Sequence, residues 1–240
     1  MDLSGSTALI TGASRGLGLE VARLFAACGA RLAIAARGSV ALVAAARELS
    51  NVTDVLAIPT DVSDLQQAQR LVEGTMERFG RIDVLVNNAS ALGPSPMPRL
   101  ENYPADALAG VFDTNVVAPL RLAQLVLPHM RARGAGVIVN VSSDAGVNAY
   151  PGWGGYGATK AALEHLSRTL AAELEGSGVR VYVVDPGDMN TQMHREAEPG
   201  IDLSHLPGAA ISAPAVLWLV ERETRPFARV EAQSLALATA

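Results

Sequence analysis

Lysine is almost missing from this chain of 240 residues: of nineteen basic side chains, Lys160 is the only one that is not arginine. Cysteine is equally scarce. Cys28 stands alone, which excludes an intrachain disulfide, and its setting in VARLFAACGA suits a buried thiol on an apolar helix face. No uninterrupted apolar run reaches the roughly 18 residues of a membrane-spanning helix, and MDLSGSTALITG lacks the basic flank and cleavage site of a signal peptide. A soluble cytoplasmic protein with no membrane partner is therefore expected. The net charge of −5 and the scattered arginines argue against nucleic acid. No clustered His, Cys or carboxylate spacing suggests a metal site. Neither a Pro-, Gly- or Ser-rich linker nor an internal repeat divides the chain, so residues 1–240 read as a single domain.

Apolar β-rich runs alternate with segments of helical period. TALIT precedes a helix at 16–28, RLAIAA one at 39–49, DVLAI one at 64–79, and IDVLVN a long helix to about 131. GVIVNVSS, a helix at 156–175, VRVYVV, a helix at 213–223 and FARVEAQSL as a seventh strand complete the pattern. Strands apolar throughout are buried on both faces, which predicts an α/β fold with a mainly parallel seven-stranded sheet and helices on each side. The irregular stretches 90–104 and 186–212 read as substrate-covering segments.

TGASRGLG at 11–18 lies between the first strand and the first helix. There Gly12 permits a tight turn, Gly16 admits a pyrophosphate and Gly18 allows close helix–strand packing, with the anion on the helix N-terminus. A bland strand-to-helix turn is the competing reading. At the end of the second strand, where an NAD-preferring fold carries a carboxylate, the sequence reads Ala35, Ala36, Arg37. Arg37 and Arg15 suit a 2′-phosphate, so NADP(H) is expected over NAD(H); both could equally be solvated surface charges.

Tyr156 and Lys160 lie four apart and share a helix face. A phenol titrates near pH 10, and a neighbouring cation stabilises its ionised form. Two unrelated surface residues would show the same spacing. The set TGASRGLG, NNAS at 87–90, Asn115, Ser143, YGATK and DPG at 185–187 resembles the classical short-chain dehydrogenase/reductase family from about residue 5 to 191. The resemblance implies a doubly wound Rossmann fold. It also implies roles: Tyr156 as general acid or base, Lys160 lowering its pKa and holding the nicotinamide ribose, Ser143 bonding the substrate oxygen, and Asn115 ordering a water toward Lys160. Ser142 is the rival serine, turned to the opposite face by strand alternation. Asn115 also has a plain reading as an amide bonding locally to its helix. Ser14 and Leu17 of the glycine loop, Asp61 and Val62, Asn88 and Ala89, Pro186 and Gly187, and Thr191 fall at cofactor-binding positions. NNAS replaces the family's NNAG, DPG its NPG, and the usual Asp-Gly-Gly ending is missing.

Tyr150 and Trp153 precede the tyrosine, while Met189, Met193 and His194 follow the Pro-Gly turn; all five are candidate substrate-pocket residues. His194 reads equally as an exposed loop residue. The expected activity is NADPH-dependent reduction of a small-molecule ketone or aldehyde. Its alternatives are oxidation of a secondary alcohol with NAD and a catalytically silent NADP-binding regulatory protein. Arg131 and Arg133, ending the long helix, raise an acyl-carrier substrate as another possibility. A homodimer or homotetramer is implied by the family likeness.

Overall fold

Neighbouring residues of the first strand face opposite ways, and this divides the core in two. In β1 (Thr7–Thr11), Ala8 and Ile10 join one apolar cluster and Leu9 the other, as the two-residue period of a strand requires. The computed structural model describes residues 1–239, with side-chain surroundings through residue 235. After β1 come α1 (Gly16–Ala27), β2 (Arg31–Ala36), α2 (Ser39–Leu49), β3 (Val55–Pro59), α3 (Leu65–Phe79) and β4 (Val84–Asn87). The chain continues through α4 (Ala105–Phe112), a π-helical turn (Asp113–Val117), α5 (Ala118–Arg133), β5 (Gly136–Val141) and α6 (Gly154–Glu173). It closes with β6 (Val179–Asp185), α7 (Gln192–Ala197), α8 (Ala213–Glu221), β7 (Phe227–Glu231) and α9 (Ala232–Thr239).

The seven strands form one parallel sheet in the order β3-β2-β1-β4-β5-β6-β7. Ile10 sits in register with Ile34 on one side and Val86 on the other. Phe25 of α1, Leu42 of α2 and Leu219 of α8 cover one face; Leu71 of α3, Leu122 of α5 and Ala171 of α6 cover the other. The strand order reverses between β1 and β4, and in such sheets ligands bind beyond the carboxyl ends of the strands at that point. Among the described residues, no helix is long and apolar enough to cross a membrane.

The structure corrects several boundaries. FARVEAQSL does not continue as a strand: pairing stops at Glu231, and α9 begins at Ala232. Ala232 is buried against the α8 face of the core, and the Ala/Leu composition that follows favours helix. The stretch 186–212 is not wholly irregular, because Thr191 caps α7 by accepting the His194 N–H. The long helix before β5 is interrupted by the π turn, and α6 begins at Gly154. Cys28 is half-buried at the end of α1 rather than enclosed.

The turn into β7 is held by Glu223, which is 6% exposed. Its carboxylate accepts the Thr224 and Arg225 N–H groups at 2.9 Å each, and the Arg225 Nε and Nη2 at 3.1 and 2.6 Å. The Arg225 side-chain bonds lead in holding its pKa down at about 2. With the folded value below the unfolded one, the stabilisation is present above the ordinary carboxylate range and is lost as pH falls toward 2. Arg225 is largely exposed, and water screens the pair. Glu223→Gln is expected to cost about 1–2 kcal/mol near neutral pH. Urea unfolding at about pH 7 and about pH 3 should show the difference shrinking in acid.

Candidate active site

The glycine loop between β1 and α1 is shaped by close approaches on one side and by open space on the other. A Cβ on Gly12 would stand 2.7 Å from Asn88 Nδ2, and one on Gly18 would stand 2.6 Å from Gly12 O. At Gly16, φ is +56° and nothing lies nearer to a Cβ position than Thr191 Cγ2 at 3.9 Å. The N-terminus of α1 is therefore open toward the cavity, a fit for a pyrophosphate. Asn88 works from behind, its Nδ2 donating to Thr11 O at 2.9 Å and to Gly12 O at 3.1 Å. That fastens the end of β4 to the loop.

A cavity of about 1600 Å³ runs along the carboxyl ends of the strands. Arg37, exposed at the end of β2, lines one end with Ser14, Arg15, Leu17, Asp61 and Val62. Asp61 accepts from the Ser63 N–H and hydroxyl, an Asx turn that fixes its carboxylate at the wall. Ala89 and the Pro186–Gly187 turn line the middle, and Arg15 reaches across to donate to Gln192 of α7. At the far end, around Tyr156, the lining includes Ser143, Tyr150, Trp153, Lys160, Met193 and His194, whereas Met189 also lines the cavity but packs toward the α1 and α8 side of the core. Most of the sequence-predicted residues line this one cavity; Gly18 and the buried Asn115 do not and stand behind its wall.

At that far end the side chains are packed and directional. Trp153 meets the Tyr156 ring edge-on, centroids 5.8 Å apart, and His194 meets Trp153 at 6.3 Å. His194 is therefore part of the wall and not a free loop residue. Lys160, 2% exposed, donates to Val141 O at 2.8 Å and lies 5.3 Å from the Tyr156 ring centroid. Burial lowers its pKa to about 8, opposed by the charge of Glu164. Burial also pushes the Tyr156 hydroxyl upward; hydrogen bonds from Ser90 and Ser143 act the other way, while Asp185 and Asp144 add to the rise.

The two serines separate as strand alternation requires. Ser142 is 1% exposed, its hydroxyl donating to Glu164 Oε1 at 2.6 Å. Ser143 is half-buried beside the tyrosine, donates to Asp144 Oδ1 at 3.1 Å and accepts the Ala145 N–H. Asn115, in the π turn, does not bond locally along its helix. Its Oδ1 accepts the Ala91 N–H and the Ser90 hydroxyl, and its Nδ2 donates to Ala91 O and Thr159 Oγ1. It ties the loop after β4 to α6 one residue before Lys160, and π turns of this kind recur at functional sites.

Residues 6–202 match the sequence pattern of the family described as short chain dehydrogenase. The chain belongs to the short-chain dehydrogenase family. Members of this family are NAD(P)-dependent oxidoreductases acting on small molecules, and the doubly wound parallel sheet is their fold. The chain is 39% identical over 188 residues to a 2-(R)-hydroxypropyl-CoM dehydrogenase of Xanthobacter autotrophicus, covering 78% of this chain and 75% of that protein. It is 39% identical over 221 residues to a rhamnolipids biosynthesis 3-oxoacyl-[acyl-carrier-protein] reductase of Pseudomonas aeruginosa, covering 90% and 84%. A metagenomic short-chain oxidoreductase solved in complex with NADP superimposes with a TM-score of 0.81 at 29% identity, covering 96% of this chain and 99% of that one.

Several site residues were not singled out from the sequence. Ser90, noted only as a departure in NNAS, donates its hydroxyl to Asn115 Oδ1 and stands near enough to Tyr156 to oppose the rise of its pKa. Thr159 was hidden as a small residue between the tyrosine and the lysine. Glu164 follows Lys160 by four residues, a spacing that marked it as sharing that helix face. Arg229, far along the chain, carried no local signal.

Proposed function

We propose that this short-chain dehydrogenase reduces an uncharged ketone or aldehyde with NADPH. The observation that carries the reading is the meeting of Tyr156, Ser143 and Lys160 at one end of a dinucleotide-sized cavity. NADPH, when bound, supplies the hydride. In this reading the Tyr156 hydroxyl, protonated at neutral pH, donates its proton to the carbonyl oxygen, and Ser143 donates a hydrogen bond to the same oxygen. Lys160 presents an ammonium to the phenolate left behind and to the cofactor ribose. Asn115 holds the loop after β4 against α6. Asp61 and Val62 hold the adenine, the open glycine loop the pyrophosphate, and Asn88, Ala89, Pro186, Gly187 and Thr191 the remainder. Alcohol oxidation is the reverse over the same groups.

An apolar substrate is supported by the wall around Tyr156, where Leu92, Met97, Trp153, Met193 and Ala197 cluster. Asp144 and Asp188 also line the cavity, as does Arg195 of α7. Of the two arginines that raise an acyl-carrier dock, Arg133 is turned inward to Ile82 O and Asp83, and Arg131 alone stays exposed. A homodimer or homotetramer belongs with this reading, as the family likeness implies.

The preference for NADPH rests on Arg37 and Arg15 at the ribose end. Following NADPH and NADH consumption with a panel of neutral ketones tests both cofactor and substrate. Arg37→Ala is expected to raise the KM for NADPH about tenfold, as loss of one charge-assisted bond implies. The KM for NADH should stay within about twofold. Equal effects on the two cofactors would remove the 2′-phosphate argument.

A further inference from the structure

Behind the far end of the cavity lies a charged cluster that the reductase reading does not use. Arg229, on β7, reaches three carboxylates. Its Nε stands 3.0 Å from both Glu164 oxygens, its Nη2 3.3 Å from Asp185 Oδ2 and its Nη1 3.5 Å from Glu231 Oε1. The Glu164 and Asp185 side chains are 8% and 6% exposed, and that of Arg229 is 22%. Two buried carboxylates sharing one guanidinium would repel strongly without it. Glu231, 63% exposed, adds little.

Both buried carboxylates lead to the Tyr156–Lys160 pair. Glu164 lies one helical turn beyond Lys160, and its Oε1 also accepts the Ser142 hydroxyl. Asp185 ends β6 and accepts the Gly187 N–H at 3.0 Å, which shapes the Pro186–Gly187 turn in the cavity wall. The charged groups that act on the pair are Glu164 on α6, Asp144 after β5 and Asp185 on β6, while Arg229 and Glu231 on β7 stand behind Glu164 and Asp185. Glu164 opposes the burial that discharges Lys160, and Asp185 holds the Tyr156 proton on.

We propose that Arg229 is a positioning residue for the Tyr156–Lys160 pair: it fixes Glu164 and Asp185 as oriented carboxylates and so sets the charge balance around the lone lysine. Its catalytic consequence rests on the reductase reading; its electrostatic consequence does not. With a single lysine, protein labelled with [13Cε]lysine gives one lysine resonance, and its titration reports Lys160 directly. Glu164→Gln keeps an acceptor for Ser142 and removes one negative charge, so the midpoint should fall by roughly one pH unit. Asp185→Asn keeps an acceptor for Gly187 and should lower it by a smaller amount. Arg229→Gln should raise it by roughly one unit, and Glu164→Gln combined with Arg229→Gln should return it toward the parent.

The alkaline limb of kcat/KM for ketone reduction should move in the same directions. If Arg229→Gln does not fold, the two isosteric carboxylate variants decide the matter. Midpoints within about 0.2 units of the parent in folded variants would assign the cluster to packing alone and overturn the proposal. A parent protein that binds no NADPH and turns over no ketone would overturn the reductase reading instead, and the lysine titration would still judge the role of Arg229.

Discussion

Tyr156→Phe is expected to lower kcat for ketone reduction by about 10²–10⁴-fold with the NADPH Kd nearly unchanged. The substitution removes one oxygen and little volume, so the ring contacts with Trp153 and Lys160 persist. What disappears is the proton donor beside Ser143. Burial keeps the phenol neutral, so the proton is in place for donation, but it also makes the phenol a weaker acid. Lys160 is not among the groups that lower its pKa here, contrary to the sequence expectation. Rapid mixing of NADPH and ketone with the variant separates binding from chemistry. Full turnover without the hydroxyl would sink the proposed mechanism.

The second large effect is expected at Lys160, where activity and stability should move in opposite directions. Lys160 is buried, with its ammonium on Val141 O, and Gly146 packs against its Cβ so closely that a Cβ there would stand 3.1 Å away. A guanidinium brings a broad planar fork with more donors than this site has acceptors. Lys160→Arg is therefore expected to lose at least about 100-fold in kcat, and Lys160→Met at least as much.

The folded pKa of Lys160, about 8, lies below its ordinary value of 10.5. Between those two values the unfolded chain holds the proton and the folded chain does not, so stability rises with pH across that window. Below about pH 8 the fold carries the full penalty of a buried charge, roughly 3 kcal/mol from the shift. Lys160→Met removes the penalty and orphans one carbonyl, which costs about 1–2 kcal/mol. At neutral pH the inactive variant should be more stable than its parent by about 1–2 kcal/mol, with the gain fading as pH rises toward 10. Denaturant unfolding of parent and variant across that range checks both sign and window. Equal stability at all pH values would mean that Lys160 is not a strained charge.

The sheet was legible in the sequence because each strand is an unbroken apolar run bounded by a turn or by a helical pattern. TALIT, RLAIAA and GVIVNV are buried along nearly their whole length, and a strand covered on both faces cannot alternate in polarity. The last strand was overextended for a different reason. The alternating polarity of FARVEAQSL continues past Glu231, but the pairing to β6 ends there and the Ala/Leu run that follows docks as a helix.

The candidate site was legible where chemistry is local: a glycine loop, a tyrosine and lysine four apart, a serine at a strand end. Strand alternation put Ser142 and Ser143 on opposite faces and the family spacing chose Ser143; the structure shows Ser142 turned away to Glu164, which accepts its hydroxyl. Asn115 needed tertiary structure, since its partners are the loop at 90–91 and Thr159 rather than its own helix. Asp185, an unexplained departure in the sequence, became a partner of Arg229 and of the Gly187 N–H.

By itself the sequence determined the order of strands and helices, the glycine loop and the residue types at the far end of the cavity. Those follow from periodicity and from side-chain chemistry, which act over a few neighbouring residues. Tertiary structure alone decided which charges those residues feel. Electrostatic interactions depend on distance and burial rather than on position along the chain, and Arg229 reaches Glu164 across 65 residues of sequence to stand behind the only lysine.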